Sequence, residues 1–307
     1  MAILIAYGRY TMQTKAGTLS EKALAVLSAM QINELTESHI YNGIAKRMKA
    51  GENRDILLRI SQDERRHASI WQGYTNKDVQ PKRFKVFWFI FLARVLGFTF
   101  AIKLMERGEG NASETYAAID SEVPEAATVA HEEDVHEQAL IDMLDEERLQ
   151  YVGSMVLGLS DALVELSGTL AGLTLALQHT RIIALSGLIT GISATLSMAS
   201  SEYLSSRSEG NPNAVKSGLY TGAVYLLTVA LLVLPYLLLP VEGYFIALAI
   251  MLGAVILIIL GFTYYISVAK DVPFLKRFGE MAGISLAVAG LSFLIGIAVK
   301  HFLGIEI

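Results

Sequence analysis

Residues 244–269 read YFIALAIMLGAVILIILGFTYYISVA, 26 positions in a row without an Asp, Glu, Lys or Arg. At 1.5 Å per residue, a helix of that length crosses a hydrocarbon core about 30 Å thick. Working outward, residues 219–239 and 281–299 are also uncharged and are 21 and 19 residues long. Two more apolar runs, 151–177 and 182–204, are as long but contain Asp161, Glu165 and Glu202. The pattern predicts five membrane-spanning helices within residues 151–307.

The rest of the 307-residue chain has a different composition: residues 1–150 hold 22 of the 30 acidic and 18 of the 25 basic residues. One part therefore faces water and the other lipid. Five spans put the termini on opposite sides, and the loop cations decide which side is which. Keeping residues 1–150 inside also puts Arg207, Lys216, Lys270, Lys276 and Arg277 inside, against Arg181 and Lys300 outside. The expected topology is a cytoplasmic N-terminal domain with the C-terminus outside. The apolar stretch 2–7 is too short for a signal peptide, so residues 1–18 read as a mobile extension and the membrane as a prokaryotic plasma membrane. The lack of cysteine excludes disulfides, thiolate metal sites and a thiol nucleophile. A net charge of −5 offers no basic face for nucleic acid.

An anchor needs no ionised groups. A carboxylate near the bilayer centre costs at least about 2.5 kcal/mol, so Asp161 and Glu165 require a partner or a water-filled path. Four residues apart, they share a helix face. Met198 and Glu202 repeat that spacing on the second span, a thioether one turn from a carboxylate, which suits a transition metal. The plainer readings are packing for Met198 and snorkelling to the interface for Glu202. Gly168-x-x-x-Gly172 and Gly187-x-x-x-Gly191 predict close helix crossings.

The stretch Gly158-Leu-Ser-Asp161-Ala-Leu-Val, with Ser167-Gly168 and Gly172, resembles the first span of the vacuolar iron transporter family. The stretch Gly191-Ile-Ser-Ala-Thr-Leu-Ser-Met198-Ala-Ser-Ser-Glu202-Tyr resembles its second. The resemblance covers about residues 151–307. It implies a homodimer that exchanges ferrous iron for protons, with Asp161 and Met198 lining the ion path between subunits. Two features depart from the family pattern. Glu165 stands where a small polar residue is usual, and the Arg207–Lys216 connection is too short for the helical metal-binding insertion of the plant members. Metal must then be collected elsewhere in the chain.

Residues 19–150 predict an all-α, four-helix bundle. The first helix ends with Lys46, Arg47 and Lys49 in its last turn before Gly51; the second spans about 52–74 and the third about 84–116. The fourth runs from near Ser121, with Pro124 in its first turn, to about 147. An internal repeat carries the chemistry. Glu34 precedes Tyr41 by seven residues, as Glu109 precedes Tyr116, and Glu64-x-x-His67 and Glu133-x-x-His136 follow on the next helices. A three-residue step puts Glu and His within about 60° of each other, so both reach one centre while a lone Glu arrives from the neighbouring helix. That is a di-iron or di-manganese carboxylate arrangement. The pattern resembles the rubrerythrin branch of ferritin-like proteins over about residues 19–148. The resemblance implies that Glu106 serves the metals beside Glu109, and the absent cysteine-rich tail lowers a peroxidase reading. Glu37 is either a ligand or a surface charge, His39 and His131 read as outer groups, and Glu132, Asp134 and Glu137 as the solvated face of the fourth helix.

Phe84, Phe87, Trp88, Phe91, Val95 and Phe98 recur at three- and four-residue steps among Lys82, Arg83, Lys85 and Arg94, an amphipathic pattern that suits the inner leaflet or a second copy of the bundle. Taken together, the sequence predicts a 19–150 di-metal bundle and a 151–307 transport domain. The bundle captures ferrous ion, or manganese, and the five spans move it out of the cytosol against protons, with Asp161 as ligand and proton acceptor and Glu165 supplying a second charge. The enzymic alternative is a ferroxidase or peroxidase, with Glu34, Glu64, His67, Glu109, Glu133 and His136 as its centre and the spans as a tether.

Overall fold

Helix-forming runs and caps dominate locally, and in the computed structural model, which describes residues 19–107, 122–142 and 151–303, no strand forms among the described residues. The chain divides into two compact units, residues 1–146 and 147–307.

In the first unit, Ser20 caps α1 (Glu21–Ala45) by accepting from the Ala23 amide at 3.1 Å. Glu122 holds that cap in turn, accepting from the Ser20 amide and hydroxyl at 2.7 and 3.0 Å. The helix stops at Ala45, earlier than the basic cluster suggests. Lys46, Arg47 and Lys49 lie beyond it, yet Arg47 still donates to the Gly43 carbonyl at 2.7 Å, serving the negative end of the dipole from outside the helix. α2 (Glu52–Thr75) closes on Asn76 in the left-handed conformation.

The expected single helix over 84–116 is instead two. α3 (Arg83–Leu96) and α4 (Phe98–Arg107) are separated by Gly97 at φ 101°, a backbone region that favours glycine. Periodicity alone carries through such a residue, because the aromatic pattern continues across the break. α5 (Glu125–Asp142) begins just after Pro124 rather than near Ser121. Glu109 and Tyr116 lie outside the described residues, as do Ser121 and the expected end of the fourth helix at 147.

Two apolar clusters bracket a polar layer. One holds Leu27, Met30, Trp71, Tyr74, Ala126 and Val129, and the other Ile40, Ile44, Leu57, Ile60, Met105 and Leu140. Along α1, α2 and α5 alike, residues 34, 64–67 and 133–136 fall between the two. Carboxylates and imidazoles are thus held where water is scarce.

The second unit has five helices long and apolar enough to cross a membrane: α6 (Val152–Leu177), α7 (Thr180–Ser208), α8 (Ala214–Leu238), α9 (Tyr244–Lys270) and α10 (Phe274–Leu303). Their outward faces are greasy, with Leu219, Leu227, Leu257 and Leu294 each more than 60% exposed. A surface of that kind suits lipid and not water. Inside, Tyr225, Leu232, Tyr236, Met251 and Ile259 form one core with Leu163, Leu166 and Leu170.

α6 is not a uniform α-helix: Ala162–Leu166 forms a π turn between two α-helical halves. The Ser167 hydroxyl donates to the Leu163 carbonyl there. Bonding five residues back widens the turn, so Asp161 and Glu165 are not related by the α-helical step that sequence spacing assumes. No residue type announces such a turn.

Small residues set the crossings, as the Gly-x-x-x-Gly patterns predict. A Cβ on Gly158 would lie 2.5 Å from the Thr221 carbonyl oxygen of α8, and one on Gly296 of α10 would lie 2.5 Å from that of Gly172. Gly187 and Gly191 meet Leu170 and Val229. Alanine gains about 1 kcal/mol over glycine in a helix interior, but overpacking against backbone costs about 1–3 kcal/mol. Gly158→Ala is therefore expected to lower the unfolding temperature in detergent, whereas Gly253→Ala, with open space around its position, should not. Equal behaviour of the two variants would mean that α6 and α8 do not cross so closely.

Candidate functional site

Glu34 of α1, Glu64 and His67 of α2 and Glu133 of α5 each offer a donor atom, and these atoms all lie within 4.8 Å of one another. His67 is fully buried, and Glu64 and Glu34 are nearly so. His136, one turn beyond Glu133, completes a pattern with internal symmetry. Glu64 faces His67 Nδ1 with Oε2 at 3.5 Å and His136 Nδ1 with Oε1 at 3.1 Å. Glu133 does the same, at 2.9 Å from His67 Nδ1 and 3.6 Å from His136 Nδ1. The two rings stack with centroids 5.8 Å apart. Both carboxylates therefore sit between both imidazoles.

The far sides of the rings are held by the residues just before these glutamates. His67 Nε2 donates to Glu132 Oε2 at 2.7 Å, and His136 Nε2 lies 3.3 Å from Asp63 Oδ2. Arg66 ties the two outer carboxylates together, 3.1 Å from Asp63 and 2.8 Å from Glu132. Glu132 is thus not on the solvated face that sequence spacing assigns it, although Asp134 and Glu137 are exposed as expected. Acidic residues adjacent to each Glu-x-x-His, 63 and 132, were the available signal.

The set fits a metal ion. Glu64 Oε2, His67 Nδ1 and Glu133 Oε1 are buried and converge without a satisfied hydrogen bond, which is costly unless something else pairs with them. With Nε2 donating outward, a neutral His67 presents its Nδ1 lone pair to the same point. Burial works against charge on His67, but the nearby carboxylates of Glu133, Glu64 and Glu132 raise its pKa to about 10. His136 is likewise opposed by burial yet raised to about 10 by Glu133 and Glu64. Burial would raise Glu64, and the adjacent imidazoles of His136 and His67 outweigh it, bringing the pKa down to about 2. Glu34 goes the other way, well above the usual carboxylate range, through burial first and its neighbour Glu64 second.

Around this centre, Trp71 Nε1 donates to Glu34 Oε1 at 3.3 Å, and the Tyr41 hydroxyl donates to Glu106 Oε1 at 2.7 Å. Glu37 pairs with Lys85 at 3.4 Å. His39 bonds the Leu35 carbonyl through Nδ1 at 2.7 Å, away from the cluster. His131 lies exposed on an open cleft of about 1020 Å³ that reaches Asp63, Arg66, Glu132 and His136 from solvent. Outer carboxylates of this kind typically change metal affinity by about 10–100-fold. Glu132→Gln should therefore weaken manganous-ion binding by about that factor, measured by equilibrium dialysis, with helix content unchanged.

In the second unit, Asp161 is half-buried on α6 and Glu165 is exposed. The Tyr225 hydroxyl of α8, fully buried, donates to Glu165 Oε2 at 3.2 Å and also interacts with Asp161. Asp161 is therefore neither directed at lipid alone nor sealed in a dry core. Sequence reading missed Tyr225, whose signal was a phenol in an uncharged span that needs a hydrogen-bond partner when buried. Met198 packs partly buried against the core of the second unit, and Glu202 accepts from the Ser154 hydroxyl at 2.7 Å. Among the described residues, Asp161, Glu165 and Glu202 belong to no group of three or more His, Asp or Glu donors that could hold a metal ion.

The profile of the VIT family matches residues 152–214, which cover α6, the π turn, α7 and the start of α8. No curated protein and no solved structure matches the chain. The match and the five apolar helices together support an integral membrane protein with a transporter-type membrane part, similar to the VIT family over those residues.

Proposed function

We propose that this protein moves ferrous iron, with manganous ion as the alternative cargo, out of the cytosol in exchange for protons, and that its N-terminal unit is a ferritin-like di-metal bundle that receives the ion first. The reading is carried by one coincidence in a single chain: a buried Glu/His cluster that can hold a metal and a VIT-family match over helices with a half-buried carboxylate.

On this reading, Glu34, Glu64, His67, Glu133 and His136 would hold the ions, with Glu106 and Glu109 as the further carboxylates that the sequence repeat supplies. A bound pair of ions would supply oxidation chemistry toward ferrous iron. The chain's own residues hold the imidazoles in one tautomer, keep the centre largely dry and open it to solvent through the cleft at Asp63 and Glu132. In the membrane, Asp161 and Glu165 provide two negative charges for a divalent ion. Tyr225 orients both, and Met198 and Glu202 mark the adjoining stretch of the path on α7. A carboxyl partly removed from water accepts a proton readily once the cation has left, which couples the two flows. The expected assembly is a homodimer, with the N-terminal unit in the cytoplasm and the C-terminus outside.

The test is metal flux into sealed vesicles by the purified full chain, with and without a pH gradient. Flux that depends on the gradient supports exchange, and no flux under either condition refutes transport. The buried His67–Glu64–Glu133 cluster also supports a second reading, a membrane-tethered ferroxidase. Oxygen consumption on adding ferrous ion, in a protein that moves no metal, would favour it.

A further inference from the structure

α3 has two opposed apolar faces. Val86, Phe89, Ile90 and Ala93 pack into the core of the first unit, and Ile90 approaches Gly43 of α1 so closely that a Cβ there would lie 2.3 Å from its Cδ1. Half a turn away, at about 100° per residue, Phe84, Phe87, Trp88 and Phe91 are 78, 65, 44 and 44% exposed. Their rings stack into one ridge, Phe84 on Trp88 at 6.5 Å, Trp88 on Phe91 at 5.9 Å and Phe87 on Phe91 at 6.4 Å. Lys85 stands on one flank of the ridge, and Arg83 and Arg94 on the other. Both arginines are exposed and form no ion pair among the described residues. The helix contains no acidic residue.

We propose that this ridge lies in the headgroup region of the bilayer that holds the chain's own spans, with the rings at the acyl boundary and the arginines on anionic lipid phosphates. Charge decides the occupant. A second copy meeting the ridge face to face would bring Arg83 and Arg94 of each helix against those of the other, with no carboxylate on either helix to answer them. Anionic headgroups answer all of them, and aromatic rings flanked by cations are the side chains that favour an interfacial position. The chain also supplies the bilayer, since five of its helices are long and apolar enough to cross one. The inference does not rest on transport or on the bundle's chemistry; α3 would seat the first unit on lipid whatever passes through the second.

The chain's two tryptophans make a direct test, because Trp71 is fully buried and Trp88 is not. Full-length protein is placed in nanodiscs containing brominated phosphatidylglycerol. Bromine should quench only the Trp88 emission, lowering the total to about half since Trp88 is one of two emitters, and Trp88→Phe should abolish the quenchable part. The double variant Arg83→Gln/Arg94→Gln should lose most of the quenching, and if it loses none, anionic lipid is overturned as the occupant. Trp88 emission that resists bromolipid but yields to aqueous acrylamide overturns the proposal by leaving the ridge in water. Resistance to both quenchers also overturns it. Phe84→Cys, then the only thiol in the chain, distinguishes the cause: a disulfide-linked dimer means a second copy covers the ridge, and no dimer means the chain covers its own.

Discussion

Asp161→Asn is expected to reduce metal-driven proton movement in vesicles by about 100-fold, while the protein stays monodisperse and keeps its unfolding temperature. Asparagine has the same shape and still bonds to Tyr225, so packing around the π turn is undisturbed. On the transport reading, what disappears is one of two negative charges that would face a divalent cation in a medium of low dielectric. The cost of an uncompensated charge there, at least about 2.5 kcal/mol, corresponds to roughly two factors of ten. Glu165→Gln removes the second of these carboxylates and should also lower exchange, because Glu165 accepts from the same Tyr225 hydroxyl at 3.2 Å. The pair also separates two mechanisms: loss of proton movement with metal flux retained in Glu165→Gln, but not in Asp161→Asn, would move the proton site from Asp161 to Glu165. Wild-type exchange in Asp161→Asn would refute the carrier reading and leave only a first unit able to hold a metal ion.

The second large effect is expected at Glu64. Glu64→Ala removes one of the two carboxylates that face both imidazoles, and tight binding of manganous ion should be lost, well beyond the about 10–100-fold expected of an outer carboxylate such as Glu132. Proton release gives an independent reading of the same centre. His67 and His136 both have pKa values raised to about 10, so each carries a proton at pH 7 that a metal ion must displace. Affinity should then rise with pH, about tenfold per unit for each proton displaced. The stability of the metal-free first unit should move the opposite way. Both groups are raised above their unfolded value of 6.5, so their stabilising contribution is complete below about pH 6.5 and is lost as pH rises toward 10. Calorimetry of the metal-free and manganese-loaded full chain across that window checks both signs. A pH-independent affinity would mean that the imidazoles do not hold the ion.

Length and polarity made the spans legible, because a helix in lipid satisfies its backbone internally and needs only enough apolar residues in a row. The ends of the spans moved by a few residues, and α7 runs on to Ser208. The Glu-x-x-His pairs were legible for a related reason: helix geometry fixes which side chains share a face. Helix boundaries were less so, since the Lys46–Lys49 cluster works from beyond the end of α1, and Gly97 breaks a pattern whose hydrophobic period continues across it.

Sequence by itself therefore determined the all-α class, the five apolar helices and the residue types able to meet a cation, because those depend on composition and on spacing within a single helix. Tertiary structure alone decided that Glu132 and Asp63 grip opposite imidazoles, that Tyr225 joins Asp161 and Glu165, and that a π turn begins just after Asp161 and contains Glu165. The first two are contacts between helices, and the energy of such contacts depends on distances that no linear spacing encodes.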